Sequence, residues 1–203
     1  MIKMKVIPLQ KSASLYSCNA YLILGDWNHL SDVNTLIDIG TDGFILAEIA
    51  KLSTGVGKKA VEQVILTHSH FDHAGGLTEV KKKYDPLVYA MSPIPHVNRN
   101  LKDGQLLRCG DREFEVIHTP GHSHDSVCLY NSRECVLFSG DTPLNVRSRG
   151  GSYSIRFLRC LERLCNKEIK AIYPGHGDPV TEKAQELMLF TLINVKNSQI
   201  DFI

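Results

Sequence analysis

The sequence predicts an α/β fold in which two β-sheets lie face to face and helices cover their outer faces. Three observations lead to this prediction. Short apolar segments typical of strands recur along the chain, helical segments follow the strands in each half, and no linker rich in proline, glycine or serine divides the 203 residues. Such elements bury their apolar faces well when sheets and helices pack in layers. We therefore expect a single domain over residues 1–203.

In the first half, three strand-like segments precede a helix. They are rich in β-branched or aromatic residues and are bounded by turn formers: MKVIPL, NAYLIL and NTLIDIG. From Gly43 to Ser53, apolar residues recur near helical spacing, which predicts the helix. VEQVILT has the composition of a buried strand that runs directly into His68. A helix that starts near Asp72 and continues through LTEVKKKY, and a strand at PLVYAM, complete this half.

The second half repeats this order of strands and then helices. Four predicted strands come first: QLLRCG, EFEVIHTPG, SVCLYN and ECVLFSGD. SIRFLRCLERLCN predicts an amphipathic helix, because its apolar residues form one stripe. KAIYPGHG predicts a further strand, and TEKAQELMLFTLINVKN predicts a closing helix with a capping box at Thr181.

The composition excludes several classes of protein. Lysine and arginine (23) nearly balance aspartate and glutamate (22), so the sequence has no basic footprint for nucleic acid or for a membrane surface. No apolar run approaches the roughly 20 residues that a membrane-spanning helix needs. The six cysteines form neither a CxxC pair nor a compact disulfide framework, and the first residues, MIKMKVIPLQK, lead us to expect no signal peptide. We expect reduced thiols in a cytoplasmic protein that acts on a small-molecule substrate, as a monomer or a homodimer.

The segment THSHFDHAGG, residues 67–76, places four side chains that can bind a metal within six consecutive positions. These side chains are His68, His70, Asp72 and His73. A polar loop that happens to be rich in histidine is the alternative interpretation. Half of a metal site would need its remaining ligands elsewhere in the chain.

Three other residues that can bind a metal follow predicted strands within turns rich in glycine or proline. His122 lies in HTPGHSHDS after EFEVIHT, Asp141 in FSGDTP after ECVLFS, and His176 in YPGHGDP after KAIYP. Loops that follow strands collect at one edge of a sheet, where a rigid scaffold holds functional side chains. We therefore expect these three residues to join the first four at one site.

Imidazole and carboxylate groups together suit zinc, iron, manganese and other first-row metals. Five histidines and two aspartates exceed what one four-coordinate ion can use, whereas two divalent ions that share a bridging carboxylate would use the whole set. Two ions about 3.5–4 Å apart can hold a bridging hydroxide that is a nucleophile near neutral pH. The sequence therefore predicts a dinuclear centre with hydrolase chemistry. Zinc is the first expectation, with iron and manganese as alternatives.

The run HSHFDH followed by two glycines resembles the H-x-H-x-D-H signature of the metallo-β-lactamase superfamily. The three later strand-to-loop junctions resemble that family's later motifs in the same order, and IDIG at residues 37–40 is similar to its first motif. This resemblance spans nearly the whole chain. It implies a four-layer αββα sandwich with a metal site in the groove at one edge of the two sheets.

The resemblance also implies a role for each residue of the set. The ligands would form two groups of three, which are His68, His70 and His122 for the first ion, and Asp72, His73 and His176 for the second. Asp141 would bridge the two ions, and Asp38 would support the site without binding metal. Asp72 would also be the catalytic residue, because it would orient the hydroxide and return a proton to the leaving group.

Within that superfamily, the chain most resembles the glyoxalase II-like hydrolases, which cleave thioesters. Glyoxalase II enzymes have an extra C-terminal helical domain that helps to bind glutathione, whereas 27 residues follow His176 in this sequence. A thioester is therefore the first expected substrate and a lactone the second, with glutathione thioesters less favoured. Asp125 stands where the family commonly has glycine, and we expect it to alter the mouth of the site.

Two further hypotheses concern specificity and reaction type. Arg147 and Arg149, in NVRSRGGSY, could clamp a carboxylate or phosphate of the substrate, although an exposed loop with arginines for solubility is the alternative. His124 is expected to face solvent. A persulfide dioxygenase with one iron is the alternative activity that these ligands do not exclude. A nuclease would need a basic channel, which a net charge of +1 does not favour.

Overall fold

The computed structural model describes residues 4–27 and 29–202, so the predicted domain limits 1 and 203 lie outside the described residues. The strands are β1 (Lys5–Leu9), β2 (Ala20–Leu24), β3 (Thr35–Ile37), β4 (Gln63–Ile65), β5 (Leu87–Ala90), β6 (Arg99–Asn100), β7 (Leu106–Cys109), β8 (Arg112–His118), β9 (Val127–Asn131), β10 (Val136–Gly140), β11 (Ser152–Ser154), β12 (Ala171–Pro174) and β13 (Gln199–Asp201). The helices are α1 (Ile45–Ala50), α2 (Phe71–Ala74), α3 (Leu77–Tyr84), α4 (Ile155–Cys165) and α5 (Ala184–Lys196).

The strands form two large mixed sheets and one small one. The first sheet has the order β1-β2-β3-β4-β5-β6, antiparallel up to β3 and parallel from β3 onward. The second has the order β12-β10-β9-β8-β7, in which only the β10–β12 pair is parallel. Strands β11 and β13 pair separately in parallel. Loops that follow strands of the first sheet can therefore meet loops that follow strands of the second sheet.

Side chains of the central strands alternate between two cores, because successive residues of a strand point to opposite faces. In β2, Leu22 packs in the core that includes α1 and α3, whereas Tyr21 packs in the core between the two sheets. In β8, Val116 shares that central core, and Ile117 packs in the core that includes α4 and α5. The layers therefore follow the order helix, sheet, sheet, helix, which confirms the predicted αββα sandwich.

The two long helices of the second half begin in different ways. At α4, the Ser154 hydroxyl accepts a hydrogen bond from the backbone amide of Phe157, as an N-cap residue does. The capping box predicted at Thr181 is wrong. Helix α5 begins at Ala184, after Lys183 in the left-handed conformation with φ 54°. A left-handed residue interrupts a right-handed helix, so the segment from Thr181 to Lys183 belongs to the preceding turn.

The helix predicted from Asp72 onward is divided into α2 and α3 by Gly75 and Gly76. A Cβ atom on Gly75 would lie 2.4 Å from the carbonyl oxygen of Thr41, and one on Gly76 would lie 2.3 Å from that of Asp42. Only glycines allow the loop after β3 to approach this closely. This approach brings the segment after Asp38 against residues 68–73, which were predicted to bind metal. There the Ile39 amide donates to the carbonyl oxygen of His73 over 2.9 Å.

Three short strands were not predicted from the sequence: β6, β11 and β13. Each has two or three residues and is largely or partly exposed, so it has no apolar alternation to signal a strand. In the part of the chain that the structure describes, no helix combines the length and apolar character required to cross a membrane.

Candidate metal centre

The seven residues predicted as ligands come together where four strands end. His68 follows β4 of the first sheet, whereas the other strand-end residues, His122, Asp141 and His176, follow β8, β10 and β12 of the second sheet. His70 is the N-cap residue of α2, which carries Asp72 and His73. The candidate site therefore lies between the ends of the two sheets.

The first group consists of His68, His70 and His122. One ring nitrogen from each lies within 4.8 Å of the others, and Nε2 of His122 is 2.9 Å from Nδ1 of His70. Burial lowers the pKa of His68 to about 4, so its imidazole is neutral at neutral pH. A neutral imidazole is the form that binds a metal. These three nitrogens are thus close enough to share one ion.

The second group consists of Asp72, His73, Asp141 and His176. Nε2 of His73 lies 3.2 Å from Oδ1 of Asp141, and Nε2 of His176 lies 3.0 Å from Oδ2 of Asp72. Oδ2 of Asp141 is 3.5 Å from Nε2 of both His176 and His122. Asp141 therefore lies between the two groups, which is the position that a bridging ligand requires.

Three buried ligand atoms of this cluster have no hydrogen-bond partner among the described residues: Nε2 of His68, Nε2 of His73 and Oδ1 of Asp141. Buried polar atoms normally have partners, because the loss of water is otherwise uncompensated. Divalent cations between these nitrogens and oxygens would satisfy all three atoms. The donor set of imidazoles and carboxylates, without a thiolate in either group, also suits zinc, iron or manganese. The residues therefore fit a metal centre.

Asp38 fixes the orientation of His73. Its Oδ2 atom accepts hydrogen bonds from His73 Nδ1 (2.9 Å) and Thr67 Oγ1 (2.7 Å), while Oδ1 accepts from the Thr67 amide (2.7 Å). The proton on Nδ1 is thereby used, and Nε2 is left toward Asp141. Burial acts to lower the pKa of His73, but the carboxylates of Asp38 and Asp141 outweigh it and raise the pKa. Asp38 thus lies against the predicted ligand His73, on the side away from Asp141.

Gly175 permits the close approach of the second group. A Cβ atom at this position would lie 2.2 Å from Oδ1 of Asp141 and 2.7 Å from Cε1 of His73. Both distances are far below van der Waals contact, so any side chain here would displace a predicted ligand. The glycine before His176 is therefore part of the geometry of the site.

Two residues beside the cluster had no signal in the sequence. Cys18 is buried with its thiol close to Asp38 and His73, and burial raises the pKa of this thiol to about 11. The ring of Tyr16 stacks on that of His176, with centroids 5.0 Å apart. Both belong to the segment before β2, which lies far from the histidine motifs in sequence. Its proximity is seen only in the folded structure, where the Cys18 amide also donates to the Asp72 carbonyl oxygen over 3.1 Å.

Asp125 is buried beneath the His122 loop, where Oδ1 accepts a hydrogen bond from Ser123 Oγ over 2.8 Å. Burial acts to raise the pKa of Asp125, but the hydroxyls of Ser123, Ser92 and Ser69 outweigh it and lower the pKa. Ser69 lies between His68 and His70. The residue that replaces the expected glycine therefore supports the loops of the first group.

The remaining candidates lie at the surface. His124 is exposed, as expected, and its Nε2 atom is 3.3 Å from Ser92 Oγ. Arg147 and Arg149 are also exposed, and Arg147 Nε donates a hydrogen bond to Asn145 Oδ1 over 3.2 Å. Contact of either arginine with a substrate stays a prediction.

Comparison with known proteins agrees with this geometry. A family model described as the metallo-beta-lactamase superfamily matches residues 13–176. The chain is 29% identical over 195 residues to an atrochrysone carboxyl ACP thioesterase of Aspergillus fumigatus, covering 89% of the chain and 46% of that protein. It is 34% identical over 125 residues to a protein of Schizosaccharomyces pombe named "Probable hydroxyacylglutathione hydrolase", covering 57% and 48%. The chain thus spans about half the length of these curated relatives.

Solved structures share the fold over most of the chain. TTHA1623, solved in a di-iron-bound form, has a TM-score of 0.67 and 26% identity, covering 91% of this chain and 97% of that one. BJP-1 of Bradyrhizobium japonicum, a subclass B3 metallo-beta-lactamase, has a TM-score of 0.69 and 21% identity, covering 97% and 90%. At the latter identity the likeness concerns the fold alone. With the family model matched over most of the chain, we conclude that this protein belongs to the metallo-beta-lactamase superfamily.

Proposed function

We propose that the chain is a metal-dependent hydrolase that binds two divalent ions and cleaves a thioester. The observation that carries the proposal is the convergence of five histidines and two aspartates in two groups, with three buried ligand atoms that lack a partner among the described residues. The names of two relatives, a thioesterase and a hydroxyacylglutathione hydrolase, favour a thioester, since an acylglutathione is itself a thioester.

In this proposal the two groups hold one ion each and share Asp141. His68, His70 and His122 would hold the first ion, and Asp72, His73 and His176 would hold the second. When bound, the ions supply a Lewis acid for the carbonyl and a water of lowered pKa. Zinc is our first choice, and iron or manganese would fit the same ligands.

The side chains of this protein have distinct tasks in the proposed reaction. Asp38 keeps the Nδ1 proton on His73, so that Nε2 retains its lone pair for the second ion. Asp72, whose Oδ2 atom lies 3.0 Å from His176 Nε2, orients the attacking water and returns its proton to the leaving thiolate. Asp141 holds the two groups at a fixed separation. These tasks require no group from outside the described residues apart from metal and water.

The test compares a thioester with the oxygen ester and the lactone of matched acyl size, at a fixed metal content. We expect turnover of the thioester, its loss on treatment with a chelator, and its recovery when metal is restored. Asp141→Asn should abolish turnover, while His96→Ala, at a position outside the cluster, should not. Oxygen uptake with a persulfide, together with no thioester turnover, would instead support the dioxygenase and contradict the proposal.

A further inference from the structure

A cavity of about 410 Å³ lies directly beside the candidate metal centre. Three predicted ligands, His122, Asp141 and His176, form part of its wall. The rest of the wall comes from the loop after β10, from β12 and its following turn, and from α5. A carbonyl group held at the centre would therefore have the cavity next to it.

The wall away from the centre is mainly apolar. It includes Leu144, Ile172, Val180 and Leu187, together with prolines. Ile172 and Leu144 are 2% and 5% exposed and form a buried floor, whereas Val180 and Leu187 are half-buried at the sides. An uncharged apolar group would be removed from water here, which favours its binding by about fourfold for each methylene buried.

The charged groups of the cavity disfavour an anionic ligand. Apart from the histidines, the ionisable residues that line it are Asp141 and Asp178, and no lysine or arginine is among the described lining residues. Asp141 would bind the metal ions, so a carboxylate or phosphate that extends past the metal centre would meet the negative charge of Asp178 without a lysine or arginine beside it. The part of a substrate that enters the cavity is therefore neutral.

The cavity is preformed, because backbone hydrogen bonds hold its floor and one side together. The amide of Ile172 donates to the carbonyl oxygen of Val180 over 2.9 Å, and the amide of Val180 donates to that of Ile172 over the same distance. Leu187 projects from α5, a helix of 13 residues. Ligand sites of this kind are usually formed before the ligand binds.

We propose that this cavity is the acyl subsite of the enzyme and that it selects substrates with an apolar, uncharged acyl group larger than acetyl. This inference rests on the proposed thioester hydrolysis. A buried floor can enclose the acyl group because that group ends the substrate, whereas a long thiol arm has to extend out of a closed cavity. A thiol arm that bears anionic groups is disfavoured in the cavity by the negative charge of Asp178.

The test uses the metal-loaded enzyme and thioesters of one thiol, N-acetylcysteamine, with acetyl, butanoyl, hexanoyl and benzoyl groups. We expect kcat/KM to rise by several fold from acetyl to butanoyl and again to hexanoyl.

Val180→Trp and Leu187→Trp fill the cavity from half-buried positions that tolerate bulk. Each should lower kcat/KM at least tenfold for hexanoyl and benzoyl, and less than twofold for acetyl. Leu189→Trp, on the exposed part of the same helix, is the matched control and should change neither.

A binding measurement separates this inference from the proposed function. Hexanamide, a neutral probe, should shift the methyl NMR signals of Leu144, Val180 and Leu187, and Leu187→Trp should abolish the shifts of the Leu144 and Val180 signals. If hexanamide binds in this way but no thioester is cleaved, the proposed function fails and the apolar subsite stands. If thioesters are cleaved at rates independent of acyl length and unaffected by both tryptophans, the subsite is wrong and the hydrolase stands. Tryptophan variants that lower kcat/KM equally for the acetyl and hexanoyl thioesters would also overturn the assignment.

Discussion

Asp38 and His73 form a buried hydrogen bond of 2.9 Å between Oδ2 and Nδ1, and neither side chain is more than 2% exposed. The bond keeps the Nδ1 proton in place, so a metal ion that displaces the proton from Nε2 would use the lone pair of that atom, which lies 3.2 Å from Asp141. Carboxylates that hold metal-binding histidines in this way fix both the tautomer and the ring orientation. The same carboxylate also binds Thr67, which ties the support of His73 to the end of β4.

Asp38→Ala is therefore expected to weaken metal binding at the second group. Removal of such a supporting carboxylate costs about 10–100-fold in affinity, and a titration against a competing chelator would measure it. Asp38→Asn keeps the size and one accepting oxygen, so we expect a smaller loss. Equal affinity in the wild type and the alanine variant would contradict the role given to Asp38.

Gly175→Ala should prevent metal binding without unfolding the chain. The added methyl group would meet Asp141 Oδ1 at 2.2 Å and so displace the proposed bridging carboxylate. Metal content after dialysis and the circular dichroism spectrum would measure the two effects separately. Gly177→Ala is the control in the same loop, because its Cβ would meet no atom within 4 Å, although φ is +80°. Two retained ions in Gly175→Ala would show that the site is arranged differently.

Asp125→Ala should loosen the loop of His122 and lower the affinity for the first ion by about tenfold. The carboxylate binds Ser123 Oγ directly, and the hydroxyls of Ser92 and Ser69 also stabilise its charged form. Asp125→Asn keeps an accepting oxygen and should lose less. Stepwise metal titration distinguishes the two ions, and a loss confined to the second ion would argue against this support of the first.

Arg112→Met is expected to destabilise the fold while it leaves metal content unchanged. The guanidinium is 7% exposed and contacts Asp111, Asp26 (3.1 Å) and Glu134 (3.3 Å). Removal of one partner from a buried ion pair costs about 3–5 kcal/mol, because the other charges stay buried. Urea unfolding would measure the free energy of unfolding. Lys170→Ala, which breaks an exposed pair with Glu168, should produce no measurable change, and a similar small effect of Arg112→Met would refute the expectation.

The sequence was sufficient to predict the layered fold and the proximity of the seven candidate ligands. Spacing within residues 68–73 and the position of His122, Asp141 and His176 after strands carried that information. Both signals can be read from short stretches of sequence. In each stretch the metal-binding residue type comes shortly after an apolar segment that forms a strand of the core. Gly75 and Gly76 could be noted in the sequence, but their purpose, the close approach of Thr41 and Asp42, depends on tertiary structure.

Contacts made across the chain could not be predicted in this way. Tyr16 reaches His176 from 160 positions away in sequence, and Cys18 reaches His73, without any motif around either residue. The capping box at Thr181 failed for a related reason, because the left-handed backbone at Lys183 depends on how the turn packs. Local propensity is overridden where tertiary packing decides the conformation.

The most direct test of the dinuclear hydrolase is the metal content of protein purified without added metal, measured beside its turnover of a simple acyl-thioester. The account predicts two divalent ions per chain, and thioester cleavage that is lost and regained with them. One iron per chain, no thioester cleavage and oxygen uptake with a persulfide would contradict it.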